Sequence, residues 1–175
     1  MKLTILYYGH PALRKRAAPI AEITPEIIQL ANDMIETVLA VNGIGLAATQ
    51  VGQFHRMFIL REEVLNADGQ YSLGAPEVII NPEITPSKGE MEAMLEGCIS
   101  LPRLHIEVTR PKKIHIRYQN LKGDWIEETL DSFRGRQMMH ENDHLNGVLT
   151  IDRMDLKERR RIEPYLLAIK KKYNP

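Results

Sequence analysis

The stretch 137-QMMHENDHLNG-147 decides how this sequence is interpreted. It predicts a helix that ends at Asn146-Gly147, because glycine commonly follows the last helical turn. Residues four apart lie one turn apart on the same helix face, so His140 and His144 can point at one cation. Glu141 completes the H-E-x-x-H arrangement, in which the glutamate is a general base and not a ligand. We therefore expect a catalytic metal on this helix.

The motif alone leaves two interpretations open, because H-E-x-x-H also occurs by chance on charged helices with two ordinary histidines. A third ligand would separate the classes of metal site. Thr150 stands where one large class of metallopeptidases has a third histidine, which excludes that class. Another class uses a glutamate from a later helix. Glu158 and Glu163 are available for that role, but both lie among arginines on a helix face that we expect to be exposed.

Cys98 is the third ligand that we favour. It lies in 96-EGCISLP-102, where a preceding glycine and a proline four residues later predict a constrained loop or a strand end. A lone cysteine is more often a small buried hydrophobic residue. A Cys/His/His set, however, leaves the fourth position open for water, as catalytic zinc-type sites require.

The bulk properties bound the class of protein. The chain has 175 residues with 23 basic and 23 acidic side chains, so we expect a single domain over 1–175 and no DNA partner. No apolar run approaches the roughly 20 residues of a membrane span, and the N-terminus does not resemble a signal peptide. A single cysteine excludes an internal disulfide. We therefore expect a cytoplasmic protein without a membrane partner.

The order of predicted elements favours an α+β fold. Thr24-Pro25-Glu26 begins a helix that runs to about Val41, and a second helix spans 133–145. A third helix, 156–172, should be bent or split at Pro164. Short strands are predicted between the first two helices, at 56–60, 78–80, 106–108, 114–118 and 125–130, with 62–74 a surface loop or a loosely paired hairpin. We expect antiparallel or mixed sheets around the metal-binding helix, with a C-terminal helix.

A second segment of interest is 43-GIGLAATQVG-52. Its small residues would let the backbone approach a ligand closely, with Gln50 placed among them. It lacks the Lys-Ser/Thr ending of a phosphate-binding loop. The alternative is a tight helix-to-strand connection with Gln50 exposed.

Taken together, the three segments resemble the peptide deformylase family. GIGLAATQ (43–50), EGCIS (96–100) and MHENDHLNG (139–147) match that family's motifs in the same order, and YYGHPALRKRA resembles its N-terminus. The resemblance implies removal of the formyl group from the N-terminal methionine of nascent polypeptides, with release of formate. It also implies a bound Fe(II) ion, for which Zn(II), Ni(II) or Co(II) can substitute.

The resemblance also assigns roles to individual residues. The metal ligands would be Cys98, His140 and His144, and the general base Glu141. The formyl oxygen would be held by Gln50 and by the backbone N–H of Ile99. Substrate backbone would pair beside Gly43 and Gly45, for which simple turn geometry is the alternative.

Three departures from the family's motifs affect no ligand: Ile99 replaces a leucine, Met139 a glutamine, and Gly135 an alanine. Two other functions stay open from the residues, namely an H-E-x-x-H metallopeptidase and a catalytically silent homologue that associates with ribosomes.

Two further features have competing interpretations. Arg110 and Asp143 could pair behind the metal ligands, or could both be ordinary surface residues. The basic segment 157–175 could dock on the ribosome through phosphate contacts. It could instead be a solvated helix with Ile162, Tyr165, Leu166 and Ile169 packed inward.

Overall fold

A computed structural model describes residues 1–174. The fold combines helices with antiparallel sheets. Strands and helices follow the order β1 (Gly45–Ala47), β2 (Met57–Leu65), β3 (Tyr71–Pro86), β4 (Met91–Cys98), β5 (Leu101–Pro111), β6 (Ile114–Gln119) and β7 (Trp125–Leu130), with α1 (Pro25–Ala40) before them and α2 (Phe133–Leu145) and α3 (Leu156–Tyr173) after them. Every strand pair within residues 1–174 is antiparallel. The predicted α+β class is confirmed, and its sheets are antiparallel and not mixed.

Five strands form one sheet in the order β1-β2-β3-β6-β7. Helix α2 packs on it through Met138, Met139 and Leu145, which share a buried apolar cluster with Phe58 and Ile79 of the sheet. Met139, for which the resemblance implies a glutamine, is therefore part of this core. Helix α1 buries its apolar side chains in a neighbouring cluster that includes Leu46 of β1. Strand β1, which follows α1, also contacts α2.

Strands β4 and β5 form a separate two-stranded sheet. Its register changes between Gly97 and Cys98, so that Cys98 pairs with Leu101 at the closed end of the hairpin. This location confirms the predicted strand end. The hairpin packs against α3, because Ile106 and Val108 share a buried cluster with Leu166 and Ile169.

The end of α2 is closed by a Schellman motif. Val148 N–H donates to the carbonyl of Asp143 at 2.9 Å, and Gly147 N–H donates to that of His144 at 3.1 Å. Gly147 has φ +72°, and a Cβ there would lie 2.8 Å from the carbonyl carbon of Arg14. The N-terminal segment therefore packs directly against the end of the helix that carries both histidines.

Several sequence predictions need correction. Helix α3 continues through Pro164 and is not split. Of the two alternatives predicted for 62–74, the hairpin is confirmed, since these residues pair between β2 and β3 with a bulge between Arg61 and Glu63. Strands β1 and β4 were not predicted. Tyr165 is 64% exposed and does not pack inward, whereas Leu166 and Ile169 do. No helix within residues 1–174 is long and apolar enough to span a bilayer.

Candidate active site

The three predicted metal ligands meet at one point. Helix α2 supplies His140 and His144, and the end of β4 supplies Cys98. Their ligand atoms all lie within 4.8 Å of one another. The Sγ atom of Cys98 is 3.3 Å from Nε2 of His144. One thiolate and two imidazoles fit a transition metal such as zinc or iron, and the set leaves a coordination position for water or substrate.

Glu96 orients His140. Its Oε2 lies 3.0 Å from Nδ1 of the imidazole, so Nε2 stays available to a metal. Burial alone would raise the pKa of Glu96. Hydrogen bonds from Arg110 and His140 outweigh this effect, so the net pKa lies well below its usual range. Glu96 is therefore an anion, which is the state that accepts a hydrogen bond from the histidine.

A buried charged cluster surrounds Glu96. Arg110 donates to both of its oxygens at 2.7 and 2.9 Å, and Arg136 donates to Oε1 at 2.8 Å. Arg110 also donates to Asp143 at 2.8 Å, which confirms the predicted pair. Arg153 in turn donates to both oxygens of Asp143 at 2.6 Å. The two carboxylates are thus fully paired, as burial of charge requires.

Glu141 differs from these carboxylates because no arginine pairs with it. Its Oε2 is buried and has no hydrogen-bond partner among residues 1–174. Burial raises the pKa of Glu141 to about 7, although the nearby charge of His140 opposes the shift. Such a pKa suits a general base near neutral pH. A cation bound by the neighbouring ligands would lower it.

The segment around Gln50 forms the opposite wall of the site. Gln50 is 1% exposed, so the alternative of an exposed side chain is wrong. Its Oε1 accepts from the N–H of Ala47 at 2.8 Å, and its Nε2 donates to Oγ of Ser100 at 3.0 Å. The same Nε2 lies 3.8 Å from Sγ of Cys98. These bonds fix the amide next to the metal ligands.

A cavity of about 420 Å³ opens over these groups, a size typical of small-molecule sites. The predicted residues that line it are Gly43, Gly45, Gln50, Cys98, Ile99, His140 and Glu141. His144 is 1% exposed and lies behind the others. Glu158 and Glu163 are exposed on α3, and Glu158 pairs with Arg161 at 2.7 Å.

Sequence reasoning gave no role to Glu96, Arg136, Ser100 or Gln137. One signal for Glu96 was present, since residues two apart on a strand share a face and Glu96 precedes Cys98 by two. Ligating histidines also commonly donate to a carboxylate. Gln137 precedes Glu141 by four residues on the same helix, which places both on one face, whereas Arg136 and Ser100 carry no comparable signal.

Comparison with known proteins gives the family. A family model described as polypeptide deformylase matches residues 2–160. A peptide deformylase of Thermotoga petrophila is 41% identical over 165 residues, which cover 94% of each chain. The solved peptide deformylase of Ehrlichia chaffeensis has a TM-score of 0.85 and 30% identity, covering 98% of this chain and 97% of its own.

A further solved structure is the Met-Ala-Ser-bound peptide deformylase of Acinetobacter baumannii, with a TM-score of 0.78 and 32% identity over 88% of this chain and 99% of its own. The fold and site define a metal-dependent hydrolase. The chain belongs to the polypeptide deformylase family. It is therefore an enzyme acting on N-formylmethionyl peptides, and this prediction holds over the metallopeptidase and the silent homologue.

Proposed function

We propose that Cys98, His140 and His144 bind one catalytic Fe(II) ion, for which Zn(II), Ni(II) or Co(II) can substitute. The mixed donor set supports this choice, because thiolate and imidazole suit ions of intermediate softness. When bound, the ion would activate water and polarise the formyl carbonyl group as a Lewis acid. Glu96 would keep His140 in the tautomer that presents Nε2.

The general base in this proposal is Glu141. Its unpartnered oxygen lies beside the ligands, and a bound cation would keep this carboxylate ionised, which is the state that takes up a proton. The carboxylate takes a proton from the attacking water. It then delivers that proton to the amine nitrogen that leaves as formate forms. The unpartnered Glu141 carboxylate beside the Cys/His/His set is the observation that carries the proposed mechanism.

The formyl oxygen is held by two donors. Gln50 uses one of its two amide hydrogens for Ser100, and the other makes only a long contact of 3.8 Å with Sγ of Cys98, which a substrate oxygen would replace. The backbone N–H of Ile99, next to Cys98, is the second donor. Donors fixed before reaction stabilise the negative charge that develops on the formyl oxygen, and each is typically worth about 3–4 kcal/mol.

The peptide chain would lie along Gly43 and Gly45 at the rim of the cavity. The relative from Acinetobacter baumannii was solved with bound Met-Ala-Ser, which supports a peptide as the ligand. The absence of side chains at Gly43 and Gly45 would let the substrate backbone approach.

A formate-release assay tests the mechanism. Protein purified anaerobically and analysed for metal should release formate from a formyl-Met tripeptide. Glu141→Gln should retain the metal but reduce kcat by 10² to 10⁴-fold, the usual contribution of a general base. Full activity in Glu141→Gln would exclude the proposed base, and cleavage of unformylated internal peptide bonds would support a metallopeptidase instead.

We further propose that residues 1–175 form one catalytic domain, located in the cytoplasm, that meets nascent chains on the ribosome through α3. The exposed basic side chains of Arg160, Lys171 and Lys172 support the ribosome contact. Co-sedimentation with ribosomes should then fall steeply as salt is raised. Equal co-sedimentation after charge reversal at these three positions would contradict it.

A further inference from the structure

Gln137 is a polar residue in the cavity wall that the proposed mechanism does not use. The residue is 7% exposed and lines the cavity. Neither its amide nitrogen nor its amide oxygen has a hydrogen-bond partner among residues 1–174. Buried polar groups are rarely left unsatisfied in native proteins, so an unsatisfied amide in a binding cavity indicates a ligand group that completes it.

The position of Gln137 on α2 relates it to the substrate. It precedes Glu141 by four residues and therefore lies one turn along the same helix face, about 6 Å from the base. The Sδ atom of an N-terminal methionine lies four bonds from its amide nitrogen, roughly 5 Å when extended. A first side chain that starts at the reacting formamide can therefore end near Gln137.

Of the other acidic and arginine side chains that line the cavity, Glu141 is assigned to the base, and Arg136 and Glu96 are already paired. Arg136 donates to Glu96 at 2.8 Å and to the carbonyls of Val108 and Glu92 at 2.9 and 2.6 Å. Glu96 accepts from two arginines and contacts His140. The amide of Gln137 is consequently a polar group that has no role in the reaction and keeps its full hydrogen-bonding capacity for a ligand.

We propose that Gln137 determines specificity by donating its amide N–H to an acceptor atom at the end of the substrate's first side chain. The thioether of methionine is a weak acceptor, whereas the oxygen of methionine sulfoxide is a stronger and more polar one. The enzyme therefore deformylates peptides that begin with oxidised methionine, which an apolar wall would reject. This inference rests on the proposed function of the same site.

Three formyl tripeptides that differ in the first residue test the proposal: methionine, norleucine and methionine sulfoxide. Norleucine replaces the thioether with CH₂ and removes the acceptor. We compare kcat/KM for the methionine sulfoxide peptide with kcat/KM for the norleucine peptide. This ratio should be about tenfold lower in Gln137→Leu than in wild type, the effect of losing one buried hydrogen bond. Ratios within one preparation are independent of its active fraction and metal content.

Two more variants complete the test. Gln29→Leu changes an exposed glutamine outside the cavity, and its ratio should match wild type. Gln137→Met removes the donor at nearly constant size and should lower the ratio as Gln137→Leu does. This second variant keeps the test available if the leucine variant does not fold. Equal ratios in wild type and both Gln137 variants would overturn the proposal. No formate release from the formyl-Met peptide would instead overturn the proposed function.

Discussion

Gly45 and Gly43 border the same cavity, but a side chain at each position would collide with a different neighbour. A Cβ on Gly45 would lie 2.6 Å from the carboxylate carbon of Glu141 and closer still to its Oε1. A Cβ on Gly43 would lie 2.8 Å from Cδ1 of Ile99 and 3.0 Å from Cγ2 of Val38. Neither glycine has a positive φ, so the requirement at both positions is space and not backbone conformation. Of the two, Gly45 is the one that leaves room for the catalytic carboxylate.

We expect Gly45→Ala to lose activity without losing the fold. The new methyl group must displace the end of the Glu141 side chain, which can rotate away, so the free energy of unfolding should change by less than about 1 kcal/mol. A displaced base should lower kcat by about 10²-fold or more. Formate release and urea unfolding measure the two effects.

Gly43→Ala is the matched control for this prediction. It adds the same methyl group but meets the apolar side chains of Ile99 and Val38, so its loss of kcat should be at least tenfold smaller than that of Gly45→Ala. If Gly45→Ala keeps wild-type kcat, or if both variants lose the same activity, the space beside Glu141 does not control catalysis.

Helix α2 was predictable because its signals are local. The spaced histidines and the apolar positions lie within the 13 residues of the helix, and Gly147 follows its end. Strand β1 has only three residues, which is too short for a recognisable alternation. Helix α3 continues through Pro164 although the ring removes one hydrogen bond, and its buried Leu166 and Ile169 pack in the apolar cluster beside β5. Tertiary packing of this kind stabilises a helix across a proline, and it cannot be predicted from the neighbouring residues alone.

The two histidine ligands and the base were predictable for the same reason, whereas their supporting cluster was not. Glu96 is separated by 14 residues from Arg110, by 40 from Arg136 and by 44 from His140. No local spacing rule connects such distant positions. The pair of Arg110 and Asp143 was predicted only as one of two interpretations, and the cluster around it became visible once the β4–β5 hairpin was placed against α2.

Glu96→Gln should weaken both the hairpin–helix contact and the metal site. The amide cannot balance the buried charges of Arg110 and Arg136, so we expect a loss of about 3–5 kcal/mol in the free energy of unfolding. It also supports the His140 tautomer less well, so metal affinity should fall roughly 10- to 100-fold. Denaturant unfolding and metal titration against a competing chelator measure these changes.

Glu90→Gln provides a control next to the same hairpin. Glu90 pairs with Lys112 at 3.1 Å, but its side chain is 72% exposed. Surface pairs of this kind contribute at most about 1 kcal/mol, so stability and metal affinity should stay near wild type. Equal effects of the two substitutions would show that the buried cluster has no special role.

At the scale of the whole molecule, the metal site joins parts with separate cores. Cys98 belongs to the two-stranded sheet, whose apolar residues pack with α3. The two histidines belong to α2, whose apolar residues pack on the five-stranded sheet. The Cys/His/His set therefore exists only when both parts are docked. The charged cluster around Glu96 links the same two parts, so a bound ion and this cluster stabilise one interface.

Removal of the metal should therefore lower the stability of the entire fold. An ion that binds only the folded chain stabilises it by about 2.7 kcal/mol when its concentration is 100 times Kd. For a chain of this length, that corresponds to a decrease in Tm of roughly 5–10 °C on chelation. Cys98→Ala removes one ligand, so its Tm should shift much less when chelator is added. If wild type and Cys98→Ala show the same shift, the ion does not bridge hairpin and helix, and the docking of these parts depends on the protein contacts alone.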